Sequence, residues 1–498
     1  MPTFVVKVKW GKELFKDVEV NTDDDPLVFK AQLFALTGVQ PERQKVMLKG
    51  MTLKDNDWGN MKIDNGAMIL MMGSKEEDVP TEPIVKPVFV EDMNEAELAT
   101  AMDLPAGLAN LGNTCYMNAT VQCLKTVPEL REALAKYEGV VMGSSTQPAQ
   151  SITGALRDLY VAMDKGPSIA PLILLQVMHM AFPRFAEKAD NGNFMQQDAN
   201  ECWMEMIRML QQKLPAKKID ETTAASFGSI IDQFFGGVFS VEMKCVEAPD
   251  EPPTISTETF LQLSCFISTE VKYMQSGLRS KLQEQITKHS PTLGRDAQYI
   301  RMSKIKRLPA YLTVQFVRFF YKERESVNAK VLKDIKFPID FDAFELCSPE
   351  LQQKLTPMRS RFKEQEDKEL EKATNLKNVG PVGDSKKKEG KKEPYWFEDD
   401  LGSNNSGFYT LQAVLTHKGR SSSSGHYVAW VRQKGDTWLK CDDDQVSPVT
   451  TEEILKLSGG GDWHCAYVLL YGPRILETPL EEETSAPAIE CAATANSN

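Results

Sequence analysis

The sequence predicts an α+β protein made of two units of different size. Its 498 residues exceed one domain of roughly 100 to 200 residues. Residues 1–75 predict a strand pair, one helix and further short strands. Residues 104–475 begin with helical periodicity and continue with strand-like alternation, which predicts one large mixed domain. Residues 76–103 separate the two, and their prolines and acidic residues predict a flexible linker.

The composition indicates a globular protein with an acidic surface. Hydrophobic residues make up 42% and charged residues 26% of the chain, in the ordinary globular range. The 70 Asp and Glu against 58 Lys and Arg give a net charge of −12, which argues against nucleic acid as the main partner.

Cysteine usage and hydropathy bear on the compartment. Nine cysteines without a CxxC pair predict a reducing environment and no tetrahedral zinc site. The N-terminus lacks the features of a signal peptide. The most hydrophobic stretch, Ile169 to Phe182, is too short to span a bilayer and is interrupted by a proline and polar residues. We therefore expect a cytoplasmic protein, with the nucleus as a second compartment, and no integral membrane segment.

Residues 1–75 alternate in the manner of a hairpin covered by a helix. Val6 and Val8 lie on one face of a first strand, and a second alternating run ends near Val20. Asp23 to Asp25 can cap a helix that ends at Gly38, before two more short strands. This order resembles the ubiquitin-like β-grasp fold, and another small α+β module is the alternative. The segment lacks a free Gly-Gly end, so we expect it to dock rather than be conjugated.

Two segments of the larger unit are expected to lie outside its core. Residues 355–394 are charge-dense and end near a KKKEGKK run, which predicts a disordered surface insertion. A solvated helix is the alternative interpretation of the same pattern. Residues 476–498 form an acidic tail that becomes rich in Ala and Thr.

A reactive cysteine is predicted in the stretch GLANLGNTCYMNATVQCL, residues 107–124. Glycines and asparagines form a loop, and a helical pattern follows it with Thr114 or Asn113 as the N-cap. Cys115 would then lie in the first helical turn, where unpaired backbone N–H groups favour an anion. Asn110 offers a carboxamide donor for an oxyanion. The alternative is a buried structural cysteine, which is the commoner case.

A thiolate nucleophile needs a base, and the chain has five histidines. His426 follows a polar serine-rich loop and opens a strand, whose hairpin partner ends in Asp442, Asp443 and Asp444. A turn at residues 434–435 sets the start of one strand beside the end of the other, so His426 should meet the acidic triplet. Pattern alone does not choose among the three aspartates, because a shift of one residue changes the register. An ordinary surface histidine beside an acidic loop is the alternative.

Two other histidines are weaker candidates for the base. His417 is expected to be exposed at a strand end, and His464 to pack near a sheet end.

These residues carry a family resemblance. The stretch around Cys115 and the later SGHYVAW…WLKCDDDQV resemble the two signature boxes of the ubiquitin-specific proteases, and NFMQQDANECWMEMI resembles that family's QQDA segment. The resemblance spans nearly all of residues 104–475 and implies a papain-like cysteine protease domain with a helical thumb, a β-rich palm and β fingers. It also implies roles for seven residues: Cys115 as nucleophile, His426 as general base, Asp442 as its orienting carboxylate, Asn110 as oxyanion donor, and Gln196, Asp198 and Tyr427 as contacts for the ubiquitin tail.

The ubiquitin-like segment ahead of this domain resembles the proteasome-associated members of the family. That resemblance implies hydrolysis of the isopeptide bond after the C-terminal glycine of ubiquitin, on proteasome-bound conjugates. It implies docking at the regulatory particle of the proteasome through the ubiquitin-like domain, and activation by that docking. Residues 322–334 and 419–425 match mobile loops that cover the tail groove.

The sequence departs from the family pattern at three cysteines. Cys441 replaces a common aromatic residue ahead of the aspartates. Cys245 and Cys265 are single thiols where many relatives bind zinc through two CxxC pairs, so we expect neither a structural metal nor a cofactor.

Two other classes of function remain open from the sequence. One is a ubiquitin-binding scaffold with an idle thiol, and the other is a thiol transferase or amidase that acts on small molecules.

Overall fold

The computed structural model of the chain describes residues 3–55, 57–59, 61–75, 104–141, 147–218, 227–322, 327–377, 390–421, 424–433, 435–461 and 463–478. The chain divides into two compact units, Met1–Asn94 and Glu95–Asn498. The expected linker, residues 76–103, lies outside the described residues, as do residues 479–498 of the expected tail.

The N-terminal unit is a five-stranded sheet with one helix. Its elements are β1 (Thr3–Trp10), β2 (Glu13–Asn21), α1 (Pro26–Thr37), β3 (Lys45–Leu48), β4 (Met51–Thr52) and β5 (Met68–Met72). The strand order is β2-β1-β5-β3-β4, with β1 and β5 parallel. Asp25 caps α1 by accepting from the Leu27 N–H, and Gly38 ends the helix in the left-handed region at φ 74°. Val6, Val8 and Leu33 are fully buried between helix and sheet, which confirms the β-grasp prediction.

Helices make up the first half of the larger unit. They are α2 (Cys115–Lys125), α3 (Pro128–Ala135), α4 (Pro148–Met163), α5 (Leu172–Ala181), α6 (Ala199–Lys213) and α7 (Ile230–Phe234). Residues 115–124 of α2 are all buried, and the helix packs against the central sheet and α6. Among the described residues, no helix has the length and hydropathy that a bilayer crossing requires.

The central sheet has eight strands and lies behind α2. Its members are β10 (Leu263–Phe266), β13 (Leu312–Val317), β16 (Asp340–Asp342), β18 (Phe408–Ser421), β19 (Ser424–Arg432), β20 (Trp438–Asp442), β21 (Gln445–Val449) and β22 (Cys465–Pro473). The order is β10-β13-β22-β18-β19-β20-β21, with β16 on β18. Residues of β18, β19 and β22 are buried on both faces, because helices cover one face and a second apolar cluster covers the other.

A second sheet projects from the central one. It orders β11 (Gln283–Ser290), β12 (Arg295–Arg307), β8 (Gly237–Cys245) and β9 (Thr254–Phe260), with α8 (Met274–Leu282) leading into β11. The helical half, the central sheet and this projecting sheet form the expected thumb, palm and fingers. The remaining elements are short: β6 (Gly107–Leu108) beside β7 (Ser168–Ile169), β14 (Phe319–Lys322) beside β15 (Val327–Lys330), and α10 (Thr451–Leu455).

The prediction that residues 355–394 form a disordered insertion is wrong for most of the residues in this range that the structure describes. Helix α9 (Pro349–Lys377) covers its first half, because Leu355 and Phe362 are buried and Arg359 makes an ion pair of 2.7 Å with Asp342. The charged residues between 355 and 371 lie mostly on the exposed face of this helix. At the other end, β17 (Lys391–Lys392) pairs with β23 (Glu477–Thr478), so the tail expected from residue 476 begins with a strand. Residues 378–389 lie outside the described part of the chain.

Candidate active site

The loop before α2 places Cys115 as the first residue of that helix. Asn110 accepts from the N–H groups of Gly112 (3.0 Å) and Thr114 (3.2 Å), which closes the loop on itself. Asn113 lies in the left-handed region at φ 55°, and its side chain donates to the Phe194 carbonyl at 2.9 Å. Thr114 is the N-cap, as the sequence allowed. The thiol therefore lies at the N-terminal end of α2, where the helix dipole favours negative charge.

Two N–H donors contact the thiol of Cys115, which is almost hidden from solvent. The residue is only 2% exposed. The Gln196 side chain donates to Sγ at 3.6 Å, and the Tyr427 backbone N–H donates to it at 3.5 Å. The His426 ring, next along the chain to that N–H, lies close enough to interact electrostatically with the thiol. Donors arranged in this way stabilise negative charge on the sulfur.

The hairpin of β19 and β20 brings His426 to Asp442. Its register pairs Ala429 with Cys441 and Val431 with Leu439, so the start of β19 lies beside the end of β20. His426 Nε2 lies 2.6 Å from Asp442 Oδ1. Asp442 is therefore the member of the triplet that contacts the imidazole, which the pattern alone had left open. Because Nε2 is taken by the carboxylate, Nδ1 is the ring nitrogen that remains for the thiol.

Asp443 has a different contact set, which the sequence did not suggest. The residue turns into the left-handed region at φ 54°. Its carboxylate accepts from the Asn110 side chain at 2.8 Å and from the Asn118 side chain at 2.9 Å. Its carbonyl accepts from the Leu108 N–H at 2.8 Å. Asp443 thus ties the end of β20 to the loop and the helix that carry the thiol.

Two of the three predicted tail contacts touch the thiol. Gln196 donates to the sulfur itself, as does the Tyr427 backbone N–H. Asp198 caps α6 by accepting from the N–H groups of residues 200 and 201, and it also accepts from the Tyr467 hydroxyl at 2.7 Å. Burial raises the pKa of Asp198 despite these donors. The buried ring of Tyr427 packs between His417 and Tyr467, with centroids at 4.7 and 6.3 Å. The structure therefore places Gln196 and Tyr427 against Cys115, and Tyr467 links Asp198 to the Tyr427 ring.

The expectation that His417 is exposed is wrong. The residue is fully buried beneath the loop that precedes His426, and an added Cβ at Gly425 would lie 2.5 Å from its Nε2. Burial, together with the nearby Lys330 ammonium, lowers the pKa of His417 to about 3. His464 is buried at a sheet end as expected, and its Nδ1 lies 3.2 Å from Thr416 Oγ1. Burial lowers the pKa of His464 to about 4.

The pKa of His426 is expected to lie far above those of His417 and His464. The Asp442 hydrogen bond, and then that of Cys115, raise the pKa of His426 to about 10. A raised pKa keeps the imidazolium form as pH increases, so the charge is retained at neutral pH and lost only near the shifted value. Histidine-labelled NMR spectra between pH 5.5 and 9 should show His426 charged throughout and His417 and His464 neutral throughout. The His426→Gln variant assigns the resonance, and a His426 midpoint near 6.5 would contradict the geometry.

Two groups of residues bear on metal binding. Ligand atoms of His426, Asp442 and Asp443 lie within 4.8 Å of one another, and they form the only such group in the part of the chain that the structure describes. All three already have protein partners there, so a cation would have to displace them. Cys245 packs in a small cluster of the projecting sheet, whereas Cys265 donates to the Met274 carbonyl in a separate core. These two thiols do not share a site.

The geometry of the site defines a class of protein. A thiol at a helix N-terminus, close to an imidazole that a carboxylate holds, is the arrangement of a thiol hydrolase. The ubiquitin carboxyl-terminal hydrolase family matches residues 106–471, and the ubiquitin family matches residues 5–76. The chain therefore belongs to the ubiquitin carboxyl-terminal hydrolase family, as a cysteine-type deubiquitinase with an N-terminal ubiquitin-like domain.

Similar proteins extend over nearly the whole chain. Ubiquitin carboxyl-terminal hydrolase 7 of Arabidopsis thaliana is 40% identical over 95% of this chain and 99% of its own length. Ubiquitin carboxyl-terminal hydrolase 14 of Caenorhabditis elegans is 41% identical over 98% of each chain. A solved structure, the SAGA Ubp8/Sgf11/Sus1/Sgf73 DUB module bound to ubiquitin aldehyde, aligns with a TM-score of 0.50 at 21% identity. The alignment covers 76% of this chain and 74% of the chain in that structure, and the likeness supports the fold.

Proposed function

We propose that the chain hydrolyses the isopeptide bond after the C-terminal glycine of ubiquitin by Cys-His-Asp thiol catalysis. The observation that carries the proposal is the convergence of Cys115, His426 and Asp442 from segments more than 300 residues apart: Cys115 Sγ accepts from the Tyr427 N–H at 3.5 Å, and the adjacent His426 has its Nε2 2.6 Å from Asp442. Membership of the family supplies the substrate class, since its members are ubiquitin carboxyl-terminal hydrolases.

The chemistry is acyl transfer in two steps. The Cys115 thiolate attacks the glycine carbonyl and forms a thioester, while His426 gives its proton to the departing lysine amine. Water then attacks the thioester, and His426 takes a proton from that water. Asp442 holds Nε2 throughout, which leaves Nδ1 directed at the sulfur and at the leaving group.

A groove for the ubiquitin tail runs beside the thiol in this proposal. Gln196 and the Tyr427 backbone already donate to the sulfur, so their N–H groups can turn to the carbonyls of an extended tail. The buried ring of Tyr427 narrows the path to the sulfur, which suits two terminal glycines. Asp198 fixes the start of α6 and the Tyr467 hydroxyl, and so shapes the wall of the groove.

Asn110 is the proposed side-chain donor to the oxyanion. Its amide carries two N–H hydrogens, of which one is used on Asp443 at 2.8 Å. The second can meet the charge that develops on the substrate carbonyl. Removing one such donor typically lowers the rate about 100- to 1000-fold. We expect Asn110→Ala to lose kcat to this extent on a fluorogenic ubiquitin amide while ubiquitin affinity is retained. Unchanged turnover would remove Asn110 from the mechanism.

Ubiquitin with a thiol-reactive C-terminus tests the activity directly. The full-length chain should form one covalent adduct through Cys115, and the same chain should cleave a ubiquitin-lysine isopeptide. A chain that binds ubiquitin without adduct or cleavage in any state would instead be a scaffold. Cleavage of small amides with no action on ubiquitin conjugates would reassign it to small-molecule chemistry.

We also propose that the ubiquitin-like domain docks the enzyme at the regulatory particle of the proteasome, in the cytoplasm and the nucleus. The resemblance to proteasome-associated members supports this partner. Met51, Met68 and Met72 of β4 and β5 are each at least 43% exposed, which leaves apolar surface for a protein contact.

Docking is proposed to activate an enzyme that is slow by itself. The resting thiol is buried, and Lys330 at the base of the β14–β15 hairpin donates to the carbonyls of His417 (2.6 Å) and Gly419 (3.1 Å). These contacts join the two segments that resemble groove-covering loops. Adding purified proteasomes to the full-length chain should raise kcat/KM, and deletion of residues 1–75 should remove that increase. Equal rates with and without proteasomes would refute the activation.

A further inference from the structure

The carboxylate of Asp442 has a second partner besides the imidazole. Oδ1 lies 2.6 Å from His426 Nε2, and Oδ2 lies 2.7 Å from the Lys440 ammonium. Lys440 and Asp442 are two residues apart on β20, so their side chains project from the same face of the sheet. Each oxygen of the carboxylate thus has its own cationic or donor partner, and the plane of the group is determined by both.

This second contact matters because the carboxylate of an aspartate rotates easily about the last bond of its side chain. The terminal torsion of Asp is broad and roughly two-fold, so one hydrogen bond leaves the carboxylate free to rotate. Rotation would move Oδ1 away from Nε2 and let the imidazole tilt relative to the thiol. A partner on Oδ2 removes that freedom and holds the ring in its plane.

Lys440 is itself held in place. Its ammonium lies 5.8 Å from the centre of the Trp430 ring, and Trp430 is its direct neighbour on β19. The Trp430 indole is 5% exposed and donates to Thr416 Oγ1 at 2.9 Å. Lys440 keeps 28% of its side chain exposed, so its ammonium is only partly dehydrated. The buried Trp430 ring therefore holds Lys440 in place. The partial exposure of the ammonium means that it does not incur a large desolvation penalty.

We propose that Lys440 is a positioning residue for the hydrolysis, which orients Asp442 and through it aims the His426 ring at Cys115. The inference rests on the proposed function of this site. Exposed ion pairs often contribute little, but this one shares its carboxylate with the proposed general base. The ammonium also draws the charge of Asp442 away from the imidazole, so any benefit to the rate comes through geometry.

Kinetics on the full-length chain with a fluorogenic ubiquitin amide test this role. Lys440→Met keeps the aliphatic stem and removes the ammonium, and we expect kcat to fall about tenfold while KM is unchanged, which equals about 1.4 kcal/mol in the barrier. Lys440→Arg supplies a cation of similar reach and should restore most of kcat. Lys217→Met, which removes an exposed ion pair of 3.5 Å with Glu132, is the matched control and should keep the wild-type rate.

A double variant separates positioning from a general effect on the fold. In the Asp442→Asn background the carboxylate is absent, so Lys440→Met should bring no further loss of kcat. Losses that multiply in the double variant would overturn the proposal, as would a wild-type kcat in Lys440→Met or a failure of Lys440→Arg to restore it. If the wild-type chain does not cleave the substrate at all, the proposed function fails instead, which is a different result.

Discussion

Replacing Cys115 with alanine is expected to abolish hydrolysis of ubiquitin amides and to leave ubiquitin binding intact. Loss of the nucleophile in a thiol or serine hydrolase lowers kcat by about 10⁶-fold, because the groups that act with it cannot form the acyl-enzyme alone. The tail groove keeps its remaining contacts. Turnover of a fluorogenic ubiquitin amide and the affinity for free ubiquitin measure the two halves of the expectation.

The same helix provides the control for this variant. Cys123 is also buried in α2, about two turns beyond Cys115, and packs in the core. Cys123→Ala should therefore keep its activity and its adduct with thiol-reactive ubiquitin. An adduct that forms in Cys115→Ala and disappears in Cys123→Ala would show that the nucleophile had been assigned to the wrong thiol.

The second large effect is expected for Asp442→Asn, with a fall in kcat of about 10³- to 10⁴-fold. An asparagine cannot stabilise the imidazolium, and its amide can present a donor to Nε2 and so favour the wrong tautomer. The hydrogen bond that His426 donates to Asp442 is the largest cause of the raised pKa of His426. The NMR midpoint of His426 should therefore move down toward its usual range together with the loss of activity.

The neighbouring aspartate is the natural comparison for that experiment. Asp444 is exposed in the turn after β20, whereas the contact with the imidazole is made by Asp442. Asp444→Asn should keep both kcat and the raised His426 midpoint. Equal losses of kcat at the two positions would mean that the acidic turn acts through its total charge. The contact between Asp442 and His426 would then have no specific effect on the rate.

Much of the fold could be predicted because apolar residues repeat at the spacing of the element that they form. In α6, buried residues recur at helical spacing between the capping residues Asp198 and Leu214, which is a clear signal. The hairpin of β11 and β12 gives a weak one, because the β11 residues QEQITKHS include a single apolar side chain, Ile286. The first half of 355–394 was misjudged for a related reason, because two buried apolar residues are a weak signal within so many charges.

The site could be predicted to the level of residue type, and not to the level of atoms. Cys115 was identifiable from its place after a glycine-rich loop, and His426 from its hairpin with an acidic turn. The choice of Asp442 depended on a register that a shift of one residue would change. The contacts of Asp443 depend on a left-handed backbone at a non-glycine residue, which propensity disfavours and so does not suggest.

The enclosure of the Cys115 sulfur has a consequence for redox chemistry. Peroxide oxidises exposed thiolates to sulfenic and then sulfinic acid, and the rate depends on access as well as on charge. Because 2% of the residue is accessible, we expect peroxide to inactivate the resting enzyme more slowly than a thiol protease whose sulfur is open to solvent. Sensitivity to oxidants then accompanies engagement of substrate, so a working enzyme is more vulnerable than an idle one.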